Sequence, residues 1–244
     1  MKNDNSTKSH DANVAKAIEH KNVDSFLKQL NSIAPRETSG KPFGRLIFGM
    51  DATASRQHSW DQAANIQCNM FHQTVSLGTL DVQLTFYRGI NDFKVSRWTK
   101  DHKDLETWMT SIQCRAGQTQ LNKLLSHCLN ETQKKKVNAL VFIGDSYEED
   151  LDHIATKAGK LAIAGTPAFI FQEGSDPIAT YAFSEIARLT HGAHFQFDSS
   201  SAQILRDLLT SVAIFAVGGH RALSHKADED GGIALQILDQ LEDH

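Results

Sequence analysis

The sequence has no apolar run near the roughly eighteen residues that a membrane span needs. It opens Met1-Lys-Asn-Asp-Asn-Ser6, without the apolar core of a secretory signal peptide. Both absences predict a soluble, cytoplasmic protein without membrane insertion. Cysteine is scarce: Cys68, Cys114 and Cys128 are odd in number and lack C-x-x-C spacing, which argues against a disulfide framework and a cysteine-based zinc site. Each falls within a helical pattern, the usual place of a buried free thiol in a reducing compartment. The net charge is −4 and the one basic run is Lys134-Lys135-Lys136, so nucleic acid is not an expected partner. Among 12 histidines no i, i+4 pair frames a glutamate, which leaves no zinc-hydrolase case. A Walker lysine and a recognisable nucleophile and base pair are missing too.

What is present is enough apolar residue, 40% of 244, to bury one substantial α/β core. The organising stretch is Arg45-Leu-Ile-Phe-Gly-Met-Asp51-Ala-Thr53-Ala-Ser55. Its apolar run predicts a strand buried on both faces, in the middle of a parallel sheet. The carboxylate and the two hydroxyls then stand at the strand's carboxyl end, the edge where open α/β sheets bind ligands. Asp51, Thr53 and Ser55 are all hard oxygen donors, which suit Mg²⁺, Mn²⁺ or Ca²⁺ better than zinc or copper. The plainer use of such residues is to cap the following helix.

Before this strand, residues 1–43 read as a polar tail, an amphipathic stretch striped by Val14, Ile18, Phe26 and Leu30, and the linker Ala34–Pro42. After Ser55 a helix is predicted to about Gln73. Leu80, Val82, Leu84 and Phe86 alternate with Asp81, Gln83 and Thr85, which predicts a strand near the sheet's edge with one wet face. Residues 92–98 are expected to pair with it as an antiparallel hairpin. A short helix on Leu105, Trp108, Met109 and Ile112 follows, then Gly117-Gln-Thr119 before a helix on Leu121, Leu124, Leu125 and Cys128. Thr119 is placed to cap that helix, and Gly117 to let the backbone approach something closely.

Ala139–Gly144 is a second fully buried strand ending on a carboxylate, Asp145. Two apolar parallel strands are expected to be neighbours, which brings Asp51 and Asp145 to one edge. Further βα units occupy 151–197, with Asp176-Pro177 as a cap and first-turn proline. A long helix is predicted to stop at Gly218-Gly219. The segment 220–244 then ends in the stripe Ile233–Leu241, a short amphipathic helix or a partner-binding tail.

Over residues 44–219 these pieces resemble a von Willebrand factor type A domain of the bacterial stand-alone type. The resemblance implies a doubly wound, mostly parallel sheet with one antiparallel edge strand. The family's metal-ion-dependent adhesion site uses D-x-S-x-S after the first strand, a later Thr and an Asp ending the fourth strand. Asp51-Ala-Thr53-Ala-Ser55 matches the first element with Thr for the first Ser, Thr119 the second and Asp145 the third. The departure is Ser146 directly after Asp145, where many members have Gly. The resemblance implies a non-enzymatic module in which Asp51, Thr53, Ser55, Thr119 and Asp145 hold a divalent cation, and a partner protein's Asp or Glu completes its coordination. Arg56, His58, Arg88, Glu148 and Glu149 are candidates to ring that edge and select the partner, each equally readable as a solvated surface side chain. The alternatives are an inert scaffold and a haloacid-dehalogenase-like phosphatase. For the latter, Ile143-Gly-Asp145-Ser-Tyr-Glu-Glu-Asp150 is similar in pattern, but Thr53 stands where that chemistry needs an acid.

Overall fold

The computed structural model describes residues 43–56, 79–198 and 202–242. The N-terminal stripe, the helix expected up to Gln73, His58 and Cys68 lie outside them. Among the described residues a six-stranded sheet runs in the order β3-β2-β1-β4-β5-β6. The strands are β1 (Phe43–Asp51), β2 (Thr79–Arg88), β3 (Asp92–Thr99), β4 (Ala139–Gly144), β5 (Ala168–Glu173) and β6 (Ala193–Phe197). All neighbours are parallel except β3, which is antiparallel to β2 and forms one edge, as the hairpin pattern predicts.

Strand alternation divides the core between the two faces of this sheet. On one face Leu46, Phe48 and Met50 of β1 join Val141 and Ile143 of β4. They meet Leu105 and Met109 of α1 (His102–Ser111) and Leu205, Leu208 and Val212 of α5 (Ala202–Asp230). On the other, Ile47, Leu140 and Phe142 meet α2 (Leu121–Lys134), α3 (Leu151–Ile163) and α4 (Pro177–Leu189) through Leu124, Ile154 and Phe183. Both central strands are buried on each face, which is why they lack the in/out polarity alternation of a sheet with one wet face.

The wet face expected of β2 does not exist at its centre. Gln83 and Thr85 are 5% and 0% exposed, because β3 and α2 supply partners to Gln83 and β1 supplies one to Thr85. Gln83 donates from Nε2 to Ser96 O at 3.0 Å and meets His127 Nε2 at 2.7 Å through its carbonyl oxygen. Thr85 Oγ1 donates to Phe48 O at 3.3 Å. Alternation in sequence reports polarity; it does not report whether a polar side chain is satisfied inside.

The C-terminal segment also differs from expectation. The chain does leave helical geometry at Gly219 (φ 66°, ψ −163°), as the glycine pair predicts, yet it re-enters a helix at once and continues to Asp230. Gly231 and Gly232, both with positive φ, turn it into α6 (Ile233–Glu242). Leu223, Ala234, Ile237 and Leu238 sit in the same core as β1 and α5, so the stripe read as a helix or a partner-binding tail is a helix used internally. Gln240 of α6 also covers the open edge of β6: its carbonyl accepts from His194 N at 2.8 Å and its amide donates to His194 O at 3.1 Å. That side chain takes the place of a further strand on an edge that would otherwise offer free backbone groups.

Candidate functional site

The site grows from the carboxyl end of β1. The register pairs Met50 with Ile143 of β4 and Asp51 with Tyr87 of β2. Asp51 is therefore the last residue of a strand with a neighbour on each side, and it is 0% exposed. Its Oδ1 accepts from Thr53 N at 2.7 Å, a local turn of the kind aspartate forms readily. Its Oδ2 accepts from the Tyr87 hydroxyl at 3.0 Å. The chain then makes one turn of 3-10 helix, Ala54–Arg56, which brings Thr53 Oγ1 and Ser55 Oγ to 3.1 Å. Asp51, Thr53 and Ser55 thus form one cluster.

Arg56, 1% exposed, ties this cluster to the sheet. Nη1 donates to Asp51 O at 2.9 Å and to Ile143 O at 3.4 Å, and Nε donates to Glu173 Oε2 at 3.0 Å. One guanidinium therefore joins the carboxyl ends of β1, β4 and β5. Burial pushes the Asp51 carboxyl up to about 6, against the hydrogen bonds from Thr53 and the charge of Arg56, which pull it down; Asp145 pushes it slightly further up. Burial and the nearby Asp51 charge raise the Tyr87 phenol well above its ordinary value. Asp51 is thus a carboxylate held where its charge is only partly compensated.

Asp145 follows β4 directly, half-buried, with Ser146 Oγ at 3.5 Å from its Oδ1. Thr119 is buried but does not cap α2. The capping position is Gln120, whose side chain makes no cap hydrogen bond. Instead Glu149, from the β4–α3 loop, accepts from the Leu121 amide and from Asn122 N at 2.9 Å. Thr119 Oγ1 accepts from Glu148 N at 3.1 Å, and Thr119 N donates to Glu148 Oε2 at 3.4 Å. So the segment that departs from the family pattern after Asp145 is the one that pins the Thr119 loop. Sequence spacing identified Thr119 but assigned the cap to the wrong residue, because the anion at this helix end comes from 28 positions away.

A loss of the Glu149 charge tests this. Glu149→Gln is expected to lower unfolding free energy by roughly 1–2 kcal/mol through the α2 N-terminus, read as a lower urea midpoint with an unchanged slope. An unchanged midpoint would mean that the two amides find water instead.

Gly117 does make the close approach its position suggested, and the object is protein backbone. A Cβ there would stand 2.1 Å from Gly89 O in the β2–β3 turn. Gly89 N donates to Arg115 O at 3.3 Å, and Arg115 N to Ala52 O at 3.0 Å. The end of β1, the hairpin turn and the α1–α2 loop are laced together this way. Arg88 pairs with Asp92 at 3.0 Å within the hairpin and donates from Nη1 to Gln113 O of the α1–α2 loop at 2.8 Å.

Among the described residues no hydrogen bond joins Thr119 or Asp145 to the Asp51–Thr53–Ser55 cluster. They are brought to the same edge by the β1–β4 pairing and by the Thr119–Glu148 bonds. No three His, Cys, Asp or Glu side chains converge among the described residues, which therefore offer no histidine or thiolate cage. The donor set is hydroxyl and carboxylate oxygen, and the Asp51 carboxylate, with about four lone-pair sites, keeps acceptor capacity beyond its hydrogen bonds from Thr53 and Tyr87. These residues fit a hard divalent cation. Sequence reasoning missed Tyr87 and left Arg56 as one of several surface charges. The signal for Tyr87 was its place opposite Asp51 in the β1–β2 register, which no local pattern displays.

No family model matches this sequence, and no curated protein does. Solved structures do match the fold. A von Willebrand factor type A protein from Catenulispora acidiphila superimposes with a TM-score of 0.58 at 12% identity, over 70% of this chain and 42% of the other. Proximal thread matrix protein 1 from the mussel byssus, with a zinc-occupied MIDAS motif, gives 0.56 at 13% identity, over 71% and 46%. An aerotolerance-related membrane protein from Bacteroides fragilis gives 0.53 at 15% identity, over 68% of this chain and 98% of that one. Strand order, the antiparallel edge and the helical layers on both faces are those of the von Willebrand factor type A fold.

Proposed function

We propose, from the von Willebrand factor type A fold of this chain, that it is a non-enzymatic module that binds a partner protein through a divalent cation at the carboxyl edge of its sheet. One observation carries the reading: Asp51 is fully buried and its charge is under-compensated, beside two hydroxyls that face each other. A carboxylate in that state gains more from a bound cation than a solvated one does. Asp51, Thr53 and Ser55 would hold the ion, with Thr119 and Asp145 completing the set from neighbouring loops. Mg²⁺ is the proposed resident, with Mn²⁺ or Ca²⁺ able to replace it. The mussel protein whose MIDAS motif holds zinc supports a metal at this position in the fold.

The cation would offer a coordination position to an Asp or Glu of the partner. Arg56 and Tyr87 orient Asp51 from behind, and the Thr119–Glu148 bonds hold the second loop. A phosphatase reading gains nothing from the geometry: Thr53 donates its amide to Asp51 and its hydroxyl lies 3.1 Å from that of Ser55, and a hydroxyl cannot serve as the general acid. No turnover of a generic phosphomonoester in Mg²⁺ is expected. The site itself is tested by calorimetry of Mn²⁺ and Mg²⁺ with wild type, Ser55→Ala and Thr119→Ala. Each variant should weaken binding by at least about tenfold if it removes a ligand, on the order of 1.4 kcal/mol. Wild-type affinity in both would refute the assignment. Among the described residues no helix is long and apolar enough to cross a membrane; a cytoplasmic site of action remains part of this proposal.

A further inference from the structure

Beside Thr119 a cleft of about 630 Å³ runs between the β2–β3 turn, α2 and the middle of α3; Ile90, Phe93, Thr119, Lys123, His127 and Lys157 are among its lining residues. Its two ammonium groups are unusual in their company. Lys123 Nζ donates to Asn91 Oδ1 at 3.0 Å and to Gln120 Oε1 at 2.8 Å. Lys157 Nζ donates to Asn122 O at 3.1 Å, to the Asn122 amide oxygen and to Ser126 Oγ. Both lysines are half-buried, and all of these acceptors are neutral. Among the described residues neither lysine forms an ion pair. The carboxylate in the cleft wall, Glu149, is committed to the amides of Leu121 and Asn122.

Two charges held in place by neutral oxygens keep their full field and lose little side-chain freedom when an anion arrives. Thr119, one of the cation ligands proposed above, also lines this cleft. Ile90, 80% exposed in the hairpin turn, gives it an apolar lip. We infer that this cleft binds an acidic, extended peptide segment of the partner, with Lys123 using its remaining N–H, and Lys157 exchanging one neutral acceptor, to meet carboxylates that follow the one at the cation. The inference rests on the cation-dependent reading above. A protein segment is preferred to a nucleic-acid backbone because the reading above already places a partner protein's carboxylate at the cation.

The test uses the full chain and two fluorescein-labelled probes: the heptapeptide Gly-Asp-Gly-Glu-Glu-Gly-Glu, and a control with glutamine at each glutamate. Binding is read by anisotropy with Mn²⁺ and with chelator, for wild type and for Lys123→Gln/Lys157→Gln. Wild type should prefer the acidic probe by roughly tenfold, the sum of two favourable ion pairs in a partly desolvated cleft. The double variant should lower that preference to within about twofold, while binding of the control stays metal-dependent. If removing the Lys157 bonds unsettles α2, seen as a fall in melting temperature, Lys123→Gln alone carries the comparison and should lose part of the preference. A preference unchanged by the substitutions, absent in wild type, or matched by a labelled oligothymidine would overturn the inference. A preference lost in the variant with binding indifferent to chelator would sustain the cleft and remove the cation reading.

Discussion

Asp51→Asn is expected to make the cation-free protein more stable at neutral pH and to abolish its response to divalent cations. Burial raises the Asp51 carboxyl from 3.8 to about 6, so the folded state prefers the protonated form. The penalty is absent below the unfolded value, grows as pH rises from about 4 to about 6, and is complete above that. Two units at about 1.4 kcal/mol each make it roughly 3 kcal/mol at pH 7.5. Asparagine keeps the shape, can still accept from Thr53 N, and has no charge to desolvate. His194, which burial holds at about 4, acts in the opposite sense: its contribution is present above its ordinary value of 6.5 and is lost as pH falls toward 4. That contribution is common to both proteins and cancels in their difference. Urea denaturation in chelator should therefore show the variant ahead by a few kcal/mol at pH 7.5, and the gap should close toward pH 4. Saturating Mn²⁺ at a hundred times its dissociation constant should then stabilise wild type by about 2.7 kcal/mol and the variant not at all. A variant less stable at pH 7.5, with a gap that ignores pH, would show that Asp51 is fully compensated without a metal.

Gly117→Ala is the second large effect. The added carbon would meet Gly89 O at 2.1 Å and Gly89 C at 2.3 Å, and backbone cannot rotate aside as a side chain can. Either the α1–α2 loop or the hairpin turn must move, at a cost of about 1–3 kcal/mol for overpacking. The loop leads into Thr119 two residues later, and Arg115 in it holds the end of β1. The substitution is therefore expected to lower the melting temperature by several degrees and to weaken Mn²⁺ binding by tenfold or more. Gly117→Ala that melts earlier yet binds Mn²⁺ as wild type does would separate Thr119 from the cation site.

The local patterns were legible where one cause dominates. Leu46 to Met50 and Ala139 to Gly144 are apolar without alternation because both faces of a central parallel strand are covered, and that composition predicts their place in the sheet. Asp176-Pro177 opens α4 with the expected cap, Asp176 Oδ1 accepting from Ala179 N at 2.8 Å. Asp51-Ala-Thr53-Ala-Ser55 reads as a cluster because a short turn can only bring its own alternate residues together.

What the sequence by itself determined was thus the βα order, the buried central strands and the positions of the oxygen donors along the chain, since each follows from contacts within a few residues or from periodicity. Only the tertiary structure decided that Gln83 and Thr85 are interior, that Glu149 and not Thr119 serves the α2 N-terminus, and that Leu223, Ala234, Ile237 and Leu238 belong to the core. It alone placed Tyr87 against Asp51 and Arg56 across three strand ends. Each of these depends on a partner tens of residues away. A polar side chain carries the same letter whether water or a buried acceptor satisfies it, so its burial is set by what the fold brings opposite it.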